Sequence, residues 1–119
     1  MMPTLLIGER EHRFYPLNPE KIDYIESDGN YVSIRSANAT YISRDSIKRL
    51  AGELAGFGFI RIERSLLVNI RAVLYAETFG RGRFAFTLSS GACLHSSAGY
   101  RGAILRALPL ASSSRATYQ

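Results

Sequence analysis

The sequence predicts a mostly β domain of small antiparallel sheets, elongated and sandwich-like, with one or two short peripheral helices. Short segments of alternating apolar and polar residues recur along the chain, which is typical of strands with one buried face. Turn residues separate these segments at close intervals. A helical spacing of three and four appears in only two places, so about eight short strands carry the fold.

The N-terminal segment contains the first strand signals. Residues 4–9 and 12–17 are predicted strands, and the charged residues 9–11 form the turn between them. Asn18 and Pro19 then interrupt the extended pattern and can open a single helical turn.

The next segment predicts a β-hairpin. Residues 22–26 and 31–35 alternate between apolar and polar types, and residues 27–30, Ser-Asp-Gly-Asn, have the composition of a turn. A further strand is expected over residues 39–43, after a turn at 36–38.

The hydrophobic period changes after this strand. Asp45 is positioned to cap a helix, because its side chain can accept a hydrogen bond from a free backbone amide of the first turn. Gly56 and Gly58 are expected to end the helix. The apolar positions of this predicted helix are Ile47, Leu50, Ala51 and Leu54.

Residues 59–69 combine an apolar strand with exposed charge. A strand over 59–62 places Ile60 and Ile62 toward a core, with Leu66 and Val68 on the same side. Arg64 falls where the strand should end, so a rigid support is expected to hold its guanidinium toward a partner. Residues 65–69 are predicted to be a tight connection. The residues expected on the opposite face are Arg61, Glu63 and Ser65.

The C-terminal part predicts three more strands and a closing helix. The expected strands cover residues 71–79, 84–88 and 92–95, joined by turns at 80–83 and 89–91. A helix over 98–108 would direct inward the residues Tyr100, Ile104 and Leu108, which are four apart.

The charge composition favours an anionic partner. The 119 residues include 15 basic and 10 acidic residues, giving a net charge of +5 and a pI near 9.7. Lys21 and Lys48 are the only lysines, so 13 of the basic residues are Arg. Arginine forms paired hydrogen bonds to phosphates and to guanine edges. GC-rich coding DNA produces the same preference for Arg, so the skew has two open explanations.

No catalytic, metal or cofactor site is predicted. His12 and His95 have no metal-ligand spacing with a second cysteine or a carboxylate. Cys93 and His95 would share one face of a strand with backbones about 6.5 Å apart, a poor fit for a catalytic dyad. Cys93 is expected to be a small core residue in a reducing compartment. Residues 80–83, Gly-Arg-Gly-Arg, favour a hairpin turn with two exposed arginines over a minor-groove hook.

Three motifs together resemble the LytTR DNA-binding domain. The first spans residues 22–32 and includes Tyr-Ile-Glu followed by Gly-Asn-Tyr-Val, and the second is Tyr41-x-Ser43-Arg44 leading into a helix. The third, residues 59–69, contains Phe-Ile-Arg-Ile-x-Arg-Ser-x-x-Val-Asn and is the most specific. The match extends over residues 20–108 and ends at Ser-Ala-Gly-Tyr, residues 97–100, before the last helix.

The resemblance implies a bacterial transcriptional regulator that binds double-stranded DNA in a sequence-specific manner. Loops, not a recognition helix, would enter successive major grooves of a direct-repeat promoter site. The base-contacting positions map to Asn30, Arg64 and residues 96–98. The expected phosphate contacts are Arg61, Ser65, Ser96, Ser97 and Arg101.

Two positions depart from the family pattern. Glu63 stands where the family usually has His, and an acid near DNA repels phosphate although it can accept from a cytosine amino group. Ala98 stands where the family has a base-contacting Arg. The last loop therefore contacts fewer bases, or Arg101 compensates from the helix.

The expected organisation is a leader with N-terminal strands over residues 1–19, a LytTR-like domain over 20–108 and a flexible tail over 109–119. Relatives commonly follow a receiver domain or membrane helices, so the chain is expected to be an output domain or a stand-alone regulator. Self-association on DNA is a further expectation. A cytoplasmic location fits the lone cysteine and the absence of an apolar run of about 18 residues.

A second interpretation remains open at this point. The same β domain could be a protein-interaction module that presents arginines to an acidic partner. Affinity for DNA that ignores sequence would favour that interpretation or simple electrostatic binding. An enzyme is the weakest of the three classes, and no small-molecule substrate is expected.

Overall fold

The computed structural model describes the backbone of residues 6–112 and the side chains of residues 6–108. Within this range ten strands and two α helices form, together with four single 3₁₀ turns. The strands are β1 (Leu6–Arg10), β2 (Arg13–Leu17), β3 (Ile22–Asp28), β4 (Tyr31–Ser36), β5 (Thr40–Ser43), β6 (Phe59–Glu63), β7 (Leu66–Asn69), β8 (Val73–Thr78), β9 (Phe84–Leu88) and β10 (Cys93–His95). The helices are α1 (Ile47–Leu54) and α2 (Arg101–Ser112).

The described strands form two antiparallel sheets, which confirms the predicted mostly β class. The larger sheet has seven strands in the order β2-β1-β5-β4-β3-β7-β6. The smaller sheet has the order β10-β9-β8. The predicted N-terminal strands belong to the larger sheet, although residues 4 and 5 of the first predicted strand lie outside the described residues.

The predicted central hairpin is confirmed, but its turn is shorter than expected. Pairing continues to Asp28 opposite Tyr31, so only Gly29 and Asn30 connect β3 with β4. Gly29 has a φ of +66°, the left-handed conformation that such a tight turn requires.

The prediction of a tight connection over residues 65–69 was wrong, because residues 66–69 form strand β7. This strand pairs with β3 on one side and β6 on the other, so it lies inside the sheet. Leu67 and Val68 are both buried, on opposite faces of the sheet. A strand covered on both faces lacks the alternation that identifies a strand in sequence. Only Arg64 and Ser65 connect β6 with β7.

Helix α1 has the predicted buried face but a different cap. Ser46, not Asp45, is the N-cap, and its hydroxyl accepts a hydrogen bond from the Arg49 amide at 3.0 Å. Asp45 instead pairs with the Arg49 guanidinium at 3.0 Å. The helix continues into one 3₁₀ turn over Ala55–Phe57, and Gly58, with a φ of +88°, ends it as predicted. Gly56, the other predicted end, lies inside that turn. The apolar positions Ile47, Leu50 and Leu54 are buried.

Two hydrophobic cores lie on opposite faces of β3, β7 and β6. The first includes Ile25 and Leu67 and is covered by α1. The second includes Ile62 and Val68, the inner residues of β9, and Ile104 of α2. Tyr100 and Leu108 pack against the second core, so the predicted inward face of the last helix is confirmed. The central strands are therefore held from both sides.

The start of the last helix and the environment of Cys93 differ from expectation. A 3₁₀ turn over Ala98–Tyr100 precedes α2, which runs to Ser112; residues 113–119 of the predicted tail lie outside the described residues. Cys93 is exposed, so the prediction of a buried cysteine was wrong. Leu94 is the residue of β10 that faces the core, which leaves its neighbours Cys93 and His95 outside.

Candidate nucleic-acid interface

Backbone hydrogen bonds connect three loops at one end of the larger sheet. The Ser27 amide, beside the β3–β4 turn, donates to the Ser65 carbonyl at 2.8 Å. The Ser97 amide donates to the Ile62 carbonyl at 3.0 Å, one residue before the end of β6. These bonds anchor the β6–β7 turn to β3 and the segment 96–98 to β6, at the end of the sheet where the β3–β4 turn also lies. We call the surface formed by residues 29–30, 64–65 and 96–98 the loop edge, and these segments, in that order, its first, second and third loops.

Arg64 is exposed at the centre of the loop edge, and the turn beneath it is internally bonded. The Glu63 carboxylate accepts from the Ser65 amide at 3.0 Å and from the Ser65 hydroxyl at 2.5 Å. The Ser65 hydroxyl bond is the largest influence on the Glu63 pKa and lowers it; the backbone amides of Ser65 and Arg64 and the charge of Arg61 act in the same direction, against a smaller opposing effect of burial. Glu63 therefore organises the turn as a carboxylate.

Arg61 supports the same turn from the neighbouring strand. Its Nη2 donates to the Arg64 carbonyl oxygen at 2.6 Å. The side chain is half-buried, and its Nε is enclosed without a hydrogen-bond partner. The face of β6 that carries Arg61 was predicted to be exposed to solvent. That prediction was wrong, because Phe59 and Leu67, on the same face of the sheet, are buried in the first core. Arg61 therefore fixes the backbone of Arg64 with at least part of its guanidinium.

The predicted serines are largely engaged within the protein. Ser96 is only 4% exposed, and its hydroxyl accepts a hydrogen bond from the Phe84 amide at 2.9 Å. The Ser96 amide returns a bond to the Phe84 carbonyl at 2.9 Å. Ser97 is half-buried, and its amide donates a hydrogen bond to the Ile62 carbonyl. The segment 96–98 is thus attached to both β6 and β9.

Asn30 and Arg101 are exposed at the two sides of the loop edge. Asn30 lies at the tip of the β3–β4 hairpin, beside a depression that Arg44 and Ser46 also line. Arg101 begins α2, and its aliphatic chain lies against Gly82, where an added Cβ would be 2.8 Å from the Arg101 Cδ.

Ion pairing separates the arginines of the protein into two groups. Arg35, Arg49 and Arg71 pair with carboxylates at 3.8, 3.0 and 3.9 Å. Within residues 6–108, the structure contains no ion pair for Arg64, Arg81, Arg83 or Arg101. The basic side chains nearest the loop edge therefore remain available to an anion.

Sequence reasoning missed the proximity of Arg81 and Arg83 to the loop edge. They lie in the β8–β9 turn, where two exposed arginines were expected, and that turn is confirmed. Both line an open depression of about 530 Å³ together with Ser96, Ser97 and Ala98. The proximity depends on the pairing of β9 with β10 and the Phe84–Ser96 bonds, which no local pattern predicts.

No cluster of three or more His, Cys, Asp or Glu side chains suited to a metal ion occurs in the part of the chain that the structure describes. His95 packs edge-on against Phe79, with ring centroids 5.3 Å apart. Neither helix of residues 6–112 has the length and apolar character needed to cross a bilayer.

A family profile for the LytTr DNA-binding domain matches residues 12–108, most of the chain. This chain belongs to the LytTR DNA-binding domain family. Membership establishes that the chain is a DNA-binding domain of a family that acts in transcription regulation. The family is defined by DNA binding and not by a catalytic activity.

A solved structure supports the same fold for this LytTR domain. The chain superposes on the LytTr DNA-binding domain of a methyl-accepting/DNA response regulator from Bacillus cereus with a TM-score of 0.83. The two share 18% sequence identity, and the match covers 90% of this chain and 98% of the other. No significant match was found among curated protein sequences.

Proposed function

We propose that this LytTR domain binds double-stranded DNA in a sequence-specific manner by placing the loop edge in the major groove, as part of a bacterial transcriptional regulator. The observation that carries the proposal is the anchoring of two loops beside the β3–β4 turn: the Ser65 carbonyl is bonded to Ser27 of β3, and the Ser97 amide is bonded to Ile62 of β6. These bonds hold the loops in fixed relative positions while Asn30 and Arg64 remain exposed. Pre-ordered loops lose little conformational entropy on binding.

The chemistry of the exposed side chains suggests which bases they recognise. The Arg64 guanidinium can donate two hydrogen bonds to O6 and N7 of guanine, and the Asn30 amide can pair with N6 and N7 of adenine. Ala98 offers only a methyl group, which suits contact with the methyl group of thymine. The site therefore contains one strong guanine-recognising side chain and one for adenine.

The remaining predicted residues divide between phosphate contact and support. Arg101 is exposed and has no ion pair among residues 6–108, so it binds phosphate. Arg61, Ser65 and Ser96 use part of their hydrogen-bonding capacity within the protein, and they mainly position the loops. Ser97 contributes to phosphate binding from the third loop. Binding to direct repeats, with two copies side by side on DNA, is part of the same proposal.

Selection of bound fragments from random duplex DNA, near physiological salt, tests the proposed function. We expect enrichment of one motif containing guanine and adenine at fixed positions, and its recurrence at a spacing near one helical turn, about 10–10.5 base pairs, if two copies bind side by side. Retention of all sequences alike would contradict sequence-specific binding and would favour electrostatic attraction to any acidic partner.

A further inference from the structure

The β8–β9 turn extends the loop edge beyond the third loop. Phe84, which starts β9, exchanges two hydrogen bonds with Ser96 at 2.9 Å each. Arg83 directly precedes Phe84, and the segment 96–98 directly follows β10. The turn at residues 80–83 is therefore attached to the third loop in the same way that the third loop is attached to the second.

The conformation of this turn fixes the direction of its arginines. Gly80, Arg81 and Gly82 have φ values of +97°, +57° and +76° in succession. A positive φ is uncommon for arginine. The Arg83 amide donates to the Gly80 carbonyl at 3.1 Å, and the Phe79 amide donates to the Arg83 carbonyl at 3.2 Å, so the turn is closed by the backbone.

Neighbouring residues pack against the side chains of Arg83 and Arg101. The Arg83 Cζ lies 4.9 Å from the centroid of the Phe79 ring, a cation–π contact that leaves the N–H edge free to donate. The chain of Arg101 lies against Gly82, since the missing side chain of that glycine leaves room for it. Arg81 and Arg83 thus line one open depression beside the segment 96–98, and the chain of Arg101 lies against the same turn. None of the three arginines has an ion pair among the described residues.

We propose that Arg81 and Arg83 form a phosphate-binding site for the DNA backbone, adjoining the third loop, at which the β8–β9 turn acts as a fourth DNA-contacting element. This inference rests on the proposed function and adds contacts to it. The depression is too open for a small enclosed ligand, and its charged lining is positive, which fits phosphodiester groups on a surface. Sequence-independent contacts here add affinity and orientation where Ala98 offers no charged group.

Paired charge-removing variants test this site. Arg81→Gln with Arg83→Gln removes both charges from the proposed site, and both side chains are exposed, so the fold should be retained. Lys21→Gln with Arg71→Gln is the matched control. These two exposed residues lie before β3 and after β7, at the opposite end of those strands from the loop edge.

Binding is measured by fluorescence anisotropy over a series of salt concentrations. The probes are a 30-base-pair duplex of random sequence and the duplex enriched by selection. The slope of log K against log salt is negative, and each lost phosphate contact reduces its magnitude by about 0.9. The slope of the Arg81/Arg83 variant should therefore be about two units shallower, and the variant should bind on the order of 10-fold more weakly. Both duplexes should be affected alike, and the control variant should keep the parental slope.

The outcomes distinguish this inference from the proposed function. If the Arg81/Arg83 variant binds as tightly as the parent, and its salt slope changes no more than that of the control, the role of the β8–β9 turn as a fourth DNA-contacting element is overturned. The proposed function is not affected by that result. Weakening restricted to the enriched duplex would overturn the phosphate assignment, because it would indicate base contact. Failure of the parent to bind either duplex would overturn the proposed function and this inference with it.

Discussion

Arg64 combines a fixed backbone with a free side chain. Its carbonyl accepts from Arg61, and its neighbours Glu63 and Ser65 bond to each other, but its guanidinium has no partner among the described residues. This combination suits a base-contacting residue, because the main chain is already ordered and loses little conformational entropy on binding.

Replacement of Arg64 by Ala should therefore reduce affinity for the selected duplex by about 1–3 kcal/mol and relax the preference for guanine at one position. Anisotropy titrations with the selected duplex and its single-base variants measure both effects. Arg71→Ala, at the other end of β7, is the matched control. Unchanged affinity in the Arg64 variant would remove this residue from the base-contacting set.

At the level of the element, the β6–β7 turn depends on a carboxylate placed close to a DNA-binding surface. Simple electrostatics predicts that removal of Glu63 strengthens DNA binding. The hydrogen bonds from the Ser65 amide and hydroxyl predict the opposite, because their loss would loosen the backbone that carries Arg64.

We expect Glu63→Ala to weaken binding several-fold, corresponding to about 1 kcal/mol for the lost hydrogen bonds. Glu63→Gln retains one carbonyl acceptor and should bind more tightly than the Ala variant. Titration calorimetry of the two variants with one duplex measures the difference. Tighter binding by Glu63→Ala than by the parent would show that charge repulsion dominates.

The lowered pKa of Glu63 also gives this turn a pH dependence. Because the carboxylate is favoured in the folded protein, its contribution to stability is present above its ordinary pKa of 4.5 and is lost as the pH falls through the lower, folded value. The Ser65 amide resonance, followed by NMR on acidification, should shift with that lower pKa.

Some elements of the fold could be predicted from the sequence and others could not. The hairpin around Gly29 and the buried face of α1 follow from clear periods of two and of three to four, so both were predicted. Strand β7 was missed, since Leu67 and Val68 are buried on opposite faces and remove the alternation. The position of Arg81 beside Ser96 arises from strand pairing alone, and local sequence contains no signal for it.

For the molecule as a whole, the central strands belong to two cores at once. Ile25 and Leu67 of β3 and β7 face the first core, while Val68 and Ile62 face the second. Loss of either core would expose one face of the same three strands, so the two cores should unfold together.

Leu54→Ala in the first core and Ile104→Ala in the second should each lower the free energy of unfolding by about 2–5 kcal/mol, because both side chains are fully buried. Urea denaturation should show a single transition in both variants, with a lower midpoint and the parental m-value. Two separate transitions in either variant would mean that the cores unfold independently.

The exposed position of Cys93 has a practical consequence. It is the sole cysteine of the sequence, and it lies on strand β10 three residues before Ser96. A maleimide fluorophore would attach there without any engineered substitution and would report directly on the arrival of a quencher-labelled oligonucleotide at the third loop.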